Sequence, residues 1–347
     1  MSTPLRLWFN QAYRGTFQLI GLLHEGAARD GVSLEVVGSH TTRSTPFLQA
    51  CDEAFPEPEH LVGQEWVEHA LRTCAERRID VFVPGRERRA VALAADRFEA
   101  AGVRVMVSPP EALRVLGDKA LADAAARALG VPLPVTHVVQ DAEGFRRAYE
   151  DLRAAGLRAC VKPVVDHGAA GFRVLDESVG AYEDLLVLPS ARVHPDEVER
   201  RIAARGQVAP LLVCELLEGD EISVDVLSDD GEVLAAVPRS KGGPQWTRVL
   251  VDDPEALAIT QTVVKGFGLR YLSNVQVRYS TGTGGTCRLL EVNTRAASGL
   301  FHSAAAGVNL PYAALRLLLD GEVDVPEPVL GATVLTWTEA AAVELPF

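Results

Sequence analysis

Long apolar runs are missing from this sequence. No uninterrupted run approaches the roughly 20 apolar residues that a membrane-spanning helix needs. The opening MSTPLRLWFNQ has no basic region followed by a long apolar stretch, so we expect no signal peptide and a cytoplasmic location. With 347 residues, of which 48% are hydrophobic and 23% charged, the chain is long enough for two or three packed globular subdomains.

Cysteine and positive charge are both in short supply. The five cysteines are far apart and never form CxxC, which predicts buried free thiols in a reducing compartment, not a disulfide framework or zinc site. The formal net charge of -13 argues against nucleic acid as a partner, because a polyanion would be repelled. It does not exclude ATP, since a nucleotide site needs only a few local cations and backbone donors.

Several common catalytic motifs are also absent. No GxGxxG follows a predicted strand, and the chain contains no GxxxxGK[ST], HExxH or GxSxG. These absences argue against the dinucleotide, P-loop, zinc-protease and serine-hydrolase chemistries that the motifs serve.

The first 108 residues alternate short apolar runs with helical patterns. The runs LRLWF, LEVVG, DVFVPG and VRVMV are separated by segments of helical periodicity, which predicts a parallel sheet with helices on both faces. Loops after the strands of such a sheet present ligand-binding groups, here near Asn10, residues 39–41 and residues 84–86. Ordinary turn chemistry at strand ends is the alternative explanation for each of these residues.

The rest of the chain predicts a small α+β unit followed by an antiparallel sheet. An Ala-rich helix over 121–129 precedes the strands THVV and RACVKPV. The later runs LLVCELL, EISVDVLS, EVLAAVP, SNVQVRY and CRLLEVN suit an antiparallel sheet, with hairpin turns at 229–231 and 281–285. We therefore expect an N-terminal α/β domain (1–108), connecting helices (109–132), a central lid subdomain (133–210) and a C-terminal subdomain (211–347).

The segment CVKPVVDHGAAGFRV combines a lysine with a glycine-bearing loop. Lys162 ends an apolar strand, and Gly168 and Gly171 lie in the loop that follows. Glycines let backbone N–H groups approach phosphate oxygens, and the lysine adds a mobile positive charge. His167 is a weaker candidate for a phosphate contact. Taken alone, the segment is weak evidence, and a hairpin loop of about four to six residues with an exposed lysine is the alternative explanation.

The segment LLVCELLEGDEISVDVL has a polar side. Glu215 and Leu217 end one predicted strand, and Glu221, Ser223 and Asp225 alternate on the next, so they share one face. An adenine needs an acceptor and a backbone edge, and a ribose needs a carboxylate for its hydroxyls. A solvated face of an antiparallel hairpin would produce the same alternation.

The segment SNVQVRYSTGTGGTCRLLEVNTRAASG carries oxygen ligands. Gln276 lies on one predicted strand, and Glu291 and Asn293 lie on one face of its partner. Such oxygens are what Mg²⁺ prefers. A buried Glu and Asn at the end of an apolar strand would be costly unless paired or metal-bound. Arg295 follows at the next two-residue step, which adds a cation beside the same site.

Together these segments resemble the ATP-grasp superfamily. Three stretches are similar to motifs of its carbamoyl-phosphate-synthetase-like members. The stretch LGDKALADAAARALGVPLP resembles D-K-x-x-x…G-(I/V)-P, and ELLEGDEISVDV resembles E-x-x-x-G-x-E-x-S-V-D. The stretch LLEVNTRAASG resembles E-x-N-x-R-x-S-G. The resemblance covers about residues 105–320. WFN, LQACD and DVFVPGRE resemble the branch associated with tellurium-resistance-type biosynthetic operons. The implied fold is α/β, namely a Rossmann-like parallel-sheet domain, a small α+β lid and an antiparallel C-terminal α+β domain.

The resemblance also implies how ATP is held. Lys119 and Lys162 would hold its phosphates, and the loop from Gly168 to Gly171 would close over them. The adenine and ribose contacts would come from Glu215, the Leu217 backbone and Glu221. ATP would lie between the lid and the C-terminal sheet.

Metal binding and phosphoryl transfer are implied in the same way. Gln276, Glu291 and Asn293 would bind one or two Mg²⁺ ions, with Mn²⁺ as an alternative, and Arg295 would stabilise the acyl-phosphate. Gln276 stands where many members have Asp, which would weaken a second metal. Further phosphate or substrate cations are expected among Arg239, Lys241 and Arg248. His302 is a lone histidine, a type that is more often structural than catalytic.

The expected activity is that of an ADP-forming ligase. A substrate carboxylate would attack the γ-phosphate of ATP, and an amine or related nucleophile would then displace phosphate from the acyl-phosphate. The alternatives are a kinase or carboxylase-type use of the fold and a non-catalytic nucleotide-binding module. The expected partners are a small carboxylate and an amine, without nucleic acid or membrane. A homodimer is an open alternative to a monomer.

Overall fold

The computed structural model describes residues 3–13, 15–164, 171–180, 191–242, 244, 246–280, 285–337 and 341–347. The chain divides into two compact units. The first unit comprises Met1–Leu116, Ile222–Gln276 and Val292–Phe347, and the second comprises Gly117–Glu221 and Val277–Glu291. Among the described residues, none of the helices has the length and apolar character needed to cross a bilayer.

The N-terminal part of the first unit alternates strands with helices. Its elements are β1 (Leu5–Asn10), α1 (Thr16–Arg29), β2 (Leu34–His40), a 3₁₀ helix (Pro46–Ala50), β3 (Glu53–Pro56), α2 (Gly63–Arg77), β4 (Val81–Pro84), α3 (Arg88–Leu93), α4 (Ala95–Ala100), β5 (Arg104–Val105) and α5 (Pro110–Leu116). The strands form a parallel sheet in the order β3-β2-β1-β4-β5. The predicted parallel sheet is confirmed. Strand β3 was not predicted, because four residues are too few to show a period.

Both faces of this sheet are buried. Trp8 and Phe82 are paired across β1 and β4, and their rings stack with centroids 4.2 Å apart. They pack with Trp66 of α2 on one face. Leu7 and Val81 point to the other face, where they pack with Leu23 of α1 and with Tyr312. This alternation places helices on both faces, as all-parallel sheets require.

The strand order creates a crevice at the carboxyl ends of β1 and β4. From β1 the chain builds β2 and β3 on one side and β4 and β5 on the other, so the order reverses between β1 and β4. Open α/β sheets bind ligands at such a switch point. The Gly85 N–H donates to Asn10 Oδ1 at 2.8 Å across this crevice. A Cβ on Gly85 would lie 2.1 Å from the Asn10 carbonyl oxygen, so this close approach requires glycine.

The second unit is built around a mixed sheet. Its elements are α6 (Lys119–Ala128), β6 (Thr136–Val139), α7 (Ala142–Ala154), β7 (Ala159–Pro163), β8 (Arg173–Leu175), β9 (Arg192–Val193), α8 (Pro195–Arg205) and β10 (Leu211–Glu215). The strand order is β6-β10-β7-β8-β9. The apolar stripe of α7, with Phe145 and Leu152, packs on Val161 and Val213 of this sheet.

One strand lies in a different sheet from the one predicted. The run LLVCELL was grouped with the C-terminal strands, but β10 runs antiparallel between β6 and β7. The prediction was wrong because alternation identifies a strand and does not identify its partner. Strands β10 and β11 therefore belong to two sheets and are not a hairpin.

The third sheet contains the remaining strands. Its elements and the helices around it are β11 (Glu221–Asp229), β12 (Glu232–Ser240), β13 (Thr247–Leu250), α9 (Pro254–Phe267), β14 (Tyr271–Tyr279), β15 (Cys287–Asn293), a 3₁₀ helix (Leu300–Ala306), α10 (Leu310–Asp320) and β16 (Thr333–Leu335). The order is β15-β14-β11-β12-β13-β16, with β11–β12, β12–β13 and β13–β16 antiparallel. Strands β14 and β15 each continue through the boundary of the two units.

Two smaller predictions can be compared directly with the structure. The hairpin turn at 229–231 is confirmed, with Asp230 and Gly231 at φ 45° and 85°, the left-handed region that tight hairpins favour. The turn predicted at 281–285 falls largely outside the described residues. All five cysteines are free thiols; four are buried, and Cys51 is half-buried.

Candidate functional site

A pocket opens at the crevice of the first unit. The ends of β1 and β4, the start of α1 and the segment after β15 contribute to its lining. Its volume is about 100 Å³, below the roughly 300–1,000 Å³ of sites for drug-sized ligands, so it suits only a small ligand. Most lining side chains are apolar, and the lining residues include no Asp or Glu.

Two arginines reach this pocket from distant parts of the sequence. Arg88 Nη1 donates to the carbonyl oxygen and to Oγ1 of Thr294, both at 2.9 Å. The Arg295 guanidinium lies 3.9 Å from the centroid of the Tyr13 ring, and its Nη1 donates to the Ala296 carbonyl oxygen at 3.0 Å. Neither arginine forms a salt bridge with a described carboxylate. Two cations that have no counter-charge in the described part of the chain make this end of the pocket suited to an anion.

Burial lowers the pKa of Arg88, the neighbouring Tyr13 opposes this change, and the nearby Arg295 charge lowers the pKa further. The effect of burial is the loss of hydration of the guanidinium group, and the effect of Arg295 is repulsion between like charges. An anion bound between the two guanidinium groups would relieve this repulsion.

A buried polar cluster lies on the third sheet of the first unit. Asp225 Oδ2 accepts from Arg239 Nε at 2.7 Å and from Ser303 Oγ at 3.1 Å, and Oδ1 accepts from Asn274 Nδ2 at 2.8 Å. Asp225 and Asn274 are fully buried, and Arg239 is 3% exposed. The interpretation of this strand as a solvated face is therefore wrong.

Arg239 is accordingly not a free substrate cation. Its charge neutralises the buried Asp225 carboxylate, a pairing that a buried ion needs. Lys241 lies just after β12 and Arg248 lies in β13. His302 has a structural environment, with Nδ1 2.6 Å from the Gly299 carbonyl oxygen and Nε2 2.8 Å from Thr336 Oγ1.

The predicted metal ligands lie on β14 and β15, which are neighbours in the third sheet. Gln276 Nε2 donates to Asn274 Oδ1 at 3.2 Å, which leaves Oε1 as the atom that a cation would use. Asn293 is half-buried. The expectation of a buried Glu291 is wrong: its side chain is exposed, because the face that buries Cys287 and Leu289 opens at this end of β15.

These three residues stay a proposed set of ligands for a hard divalent cation. Their available atoms are carboxylate and amide oxygens, the donors that Mg²⁺ prefers. Glu291 makes no hydrogen bond or ion pair with a described residue, so its carboxylate is available. Within the described residues no group of three or more His, Cys, Asp or Glu side chains could hold a metal, and the predicted set includes only one such residue.

The two predicted phosphate lysines lie in the second unit near one helix. Lys119 is the first residue of α6, whose N-terminus is capped by Asp118. Lys162 lies in β7 opposite Leu212. Burial raises the pKa of Asp123, one turn into α6, and the nearby Lys162 charge opposes that rise. Lys162 is therefore near enough to α6 for its charge to act on Asp123.

The predicted adenine and ribose residues lie between β10 and β11. The buried Glu215 carboxylate accepts from the Val135 N–H at 3.1 Å and from Arg288 at 2.5 Å, so it is already engaged within the second unit. Leu217 is buried in the connection between the strands, and Glu221 begins β11. Of the predicted phosphate loop, Gly171 has a φ of 73°, whereas Gly168 and His167 lie outside the described residues.

The C-terminal part of the chain matches one known family model. Residues 207–340 match the model of the ATP-grasp family in the biosynthetic pathway with the Ter operon. The large chain of carbamoyl phosphate synthase from Gemmatimonas aurantiaca is 27% identical over 237 residues, which cover 64% of this chain and 20% of that protein. This chain thus spans about one fifth of the length of that relative.

Solved structures extend the similarity to nearly the whole chain. An ADP complex of N5-carboxyaminoimidazole ribonucleotide synthetase superimposes with a TM-score of 0.67 at 14% identity, covering 96% of this chain and 81% of that one. The chain has the ATP-grasp fold. The L-amino acid ligase of Bacillus licheniformis gives a TM-score of 0.61 at 18% identity, over 94% of this chain and 76% of that one.

A third similar structure contains ligands. The biotin carboxylase domain of Hydrogenobacter thermophilus 2-oxoglutarate carboxylase, solved as a dimer with MgADP, ADP and bicarbonate, gives a TM-score of 0.65 at 16% identity, covering 96% and 74% of the two chains. All three are ATP-grasp proteins. The resemblance to the superfamily and the predicted fold class are both confirmed.

Arg88 and Tyr13 of this ATP-grasp chain were not among the predicted site residues. Both lie within three positions of the loops near Asn10 and residues 84–86, which were predicted to bind a ligand. The available signal was the run GRERR directly after a strand of the parallel sheet. A cation at that place can reach the switch point.

Gly15 allows α1 to approach the segment after Arg295. A Cβ at Gly15 would lie 2.1 Å from the Ser298 carbonyl oxygen, so Gly15→Ala should lower the free energy of unfolding by about 1–3 kcal/mol. Gly21→Ala is the matched control, because Gly21 is an exposed position in α1 with no atom within 4 Å of an added Cβ. It should raise stability by about 0.5–1 kcal/mol. Urea denaturation measures both, and equal effects would contradict the close approach.

Proposed function

We propose that this ATP-grasp chain is a Mg-ATP-dependent carboxylate–amine ligase. A substrate carboxylate oxygen attacks the γ-phosphorus of ATP, the bond to the β-phosphate oxygen breaks, and ADP leaves with the electron pair. The acyl-phosphate is then attacked at its carbonyl carbon by an amine, which loses a proton as phosphate leaves. Positioning and charge neutralisation account for most of the catalysis of such transfers.

One observation carries the proposal. Strand β15 carries two proposed oxygen ligands, Glu291 and Asn293. Two residues later, Arg295 lines a pocket together with Arg88, which has no carboxylate partner among the described residues, and the residues that line this pocket include no Asp or Glu. A metal-bound phosphate and an acceptor carboxylate are both anions. A strand that supplies metal ligands and then an arginine suits a reaction that joins them.

The second unit supplies the proposed nucleotide contacts. Lys119 and Lys162 would hold the phosphates, with Gly168 and Gly171 in the covering loop. Leu217 and Glu221 would contact the base and the ribose. Glu215, through its bonds to the Val135 N–H and to Arg288, would fix the conformation of the backbone that contacts the adenine. Two of the similar structures were solved with ADP, one of them with its magnesium salt, which supports this assignment.

Two alternatives remain for the same fold. Carboxylases are among the similar structures, so carboxyphosphate chemistry is one alternative. The mainly apolar pocket favours an organic acid over bicarbonate. A binding-only module is the other, and it would have no use for the Gln276, Glu291 and Asn293 set. A homodimer is a further prediction, in line with the dimeric Hydrogenobacter thermophilus domain.

The deciding experiment measures ADP release at saturating Mg-ATP with panels of acids, each with and without amines. A ligase releases ADP only when an acid is present and forms an amide when an amine is added. Bicarbonate-dependent release without an organic acid would indicate the carboxylase alternative. Nucleotide binding with no release under any condition would indicate the binding module.

Loss of the Lys162 charge should weaken nucleotide binding or turnover. A charge-assisted contact contributes about 1.5–3 kcal/mol, so Lys162→Met should reduce ATP affinity or turnover at least about tenfold. Lys119→Met should act in the same direction, more weakly if Lys119 lies at the outer edge of the site. Lys265→Met is the matched control, because Lys265 is exposed in the last turn of α9. If nucleotide titrations of the Lys119 and Lys162 variants are both unchanged from the wild type, neither lysine contacts the nucleotide and both are ordinary solvated surface residues.

A further inference from the structure

We propose that the pocket of the first unit selects a monocarboxylic acid with an apolar body and no α-amino group, its carboxylate held between Arg88 and Arg295. This inference rests on the proposed ligase function and names the class of acid that the enzyme would activate. It depends on the kind of side chains that line the pocket and on their charges.

The pocket walls are continuous with the apolar core. Leu7 and Leu23 line the pocket and belong to the cluster that packs under the parallel sheet, and Leu19 belongs to the cluster around α10. Phe9 and Met106 add to the same lining. An apolar body entering this space would leave water at little cost, whereas a second carboxylate would lose its hydration without gaining a partner.

The charges at the polar end favour one anionic group. Arg88 and Arg295 have no carboxylate partner among the described residues, whereas Arg270, which also lines the pocket, is neutralised by Asp229 with Nε 2.9 Å from Oδ1. A carboxylate between the first two arginines would therefore meet two unpaired guanidinium groups.

The same charges disfavour an amino acid. The α-ammonium group of an amino acid is attached to the carbon that bears its carboxylate. It would therefore lie beside the two arginines. The lining residues include no Asp or Glu, so no carboxylate lining the pocket would offset the repulsion between the ammonium group and the arginines. An acid without the amino group avoids this cost, so the pocket should discriminate between the two.

A six-carbon series tests the proposal on the wild-type protein. Relative to hexanoate, norleucine adds an ammonium group, adipate adds a second carboxylate and hexan-1-ol lacks the carboxylate. Calorimetry without ATP should show that hexanoate binds at least about tenfold more tightly than each of these three compounds. From butanoate to hexanoate, affinity should rise by up to about fourfold per buried methylene. Equal binding of hexanoate and norleucine would overturn the proposal, and so would tighter binding of adipate.

Arg88 variants test the carboxylate contact. Arg88→Gln should weaken hexanoate binding at least about tenfold and leave hexan-1-ol unaffected, with Arg88→Lys intermediate. Arg89→Gln is the matched control, because Arg89 is exposed beside Arg88 and does not line the pocket. Unchanged hexanoate binding in a folded Arg88→Gln variant would remove Arg88 from the site. Should that variant fail to fold, the wild-type series decides alone.

Activity measurements separate this inference from the proposed function. If hexanoate binds through Arg88 but never supports ADP release, the proposed acid specificity of the pocket is supported and the proposed ligase activity is contradicted. If norleucine or adipate supports ADP release better than hexanoate does, the proposed ligase activity is supported and the proposed acid specificity of the pocket is contradicted.

Discussion

Replacing Glu291 by Ala is expected to abolish ADP formation at ordinary Mg²⁺ concentrations while leaving the fold intact. Glu291 is the one carboxylate in the proposed metal set, and the other two ligands, Gln276 and Asn293, are neutral amides. Loss of its charge should therefore remove most of the attraction for a divalent cation. Because Glu291 is exposed and bonds to no described residue, its removal should change the free energy of unfolding by no more than about 0.5 kcal/mol.

The measurement is a Mg²⁺ titration of acid-dependent ADP release, with a denaturation curve for each variant. Glu291→Gln keeps one oxygen ligand without the charge, so it should recover part of the activity at high Mg²⁺. Glu327→Ala is the control, since Glu327 is also exposed but lies in an irregular segment far from β15 in sequence. Wild-type ADP formation by Glu291→Ala would show that the metal assignment is wrong.

Arg295→Lys is expected to bind ATP nearly normally and to turn over far more slowly. The planar guanidinium can hold two oxygens at once, which suits charge that spreads over a transferring phosphoryl group. Lysine keeps the charge and loses this fork. The lysine variant would also lose the contact of the Arg295 guanidinium carbon with the Tyr13 ring, 3.9 Å from the ring centroid. Only interactions stronger in the transition state than in the ground state accelerate the reaction.

Two paired measurements test this expectation. Calorimetry gives the nucleotide affinity, and acid-dependent ADP release under saturating Mg-ATP gives turnover. Arg89→Lys serves as the exposed control. Loss of ATP binding with no separate defect in turnover would make Arg295 a ground-state nucleotide contact. Normal turnover in the lysine variant would exclude it from the mechanism.

Local patterns in the sequence were sufficient where the structure depends on neighbours along the chain. The alternation of apolar runs and helical segments predicted the parallel sheet, and Asp-Gly at 230–231 predicted the hairpin. The ordered motifs predicted the ATP-grasp fold. Each of these signals is contained within a few residues or a fixed motif, so no tertiary contact is needed to read it. The assignments of individual site residues stay predictions.

Contacts between distant residues were decided only by the tertiary structure. The pairing of β10 with β6 and β7, and the burial of Asp225 with Arg239, depend on which surfaces meet after the chain has folded. Arg88 and Thr294 are 206 residues apart, yet they share hydrogen bonds in the pocket that also contains Arg295. Alternation and motif spacing describe what each segment can become. They do not describe which segment it will pack against, because that depends on the summed burial and charge pairing of the whole chain.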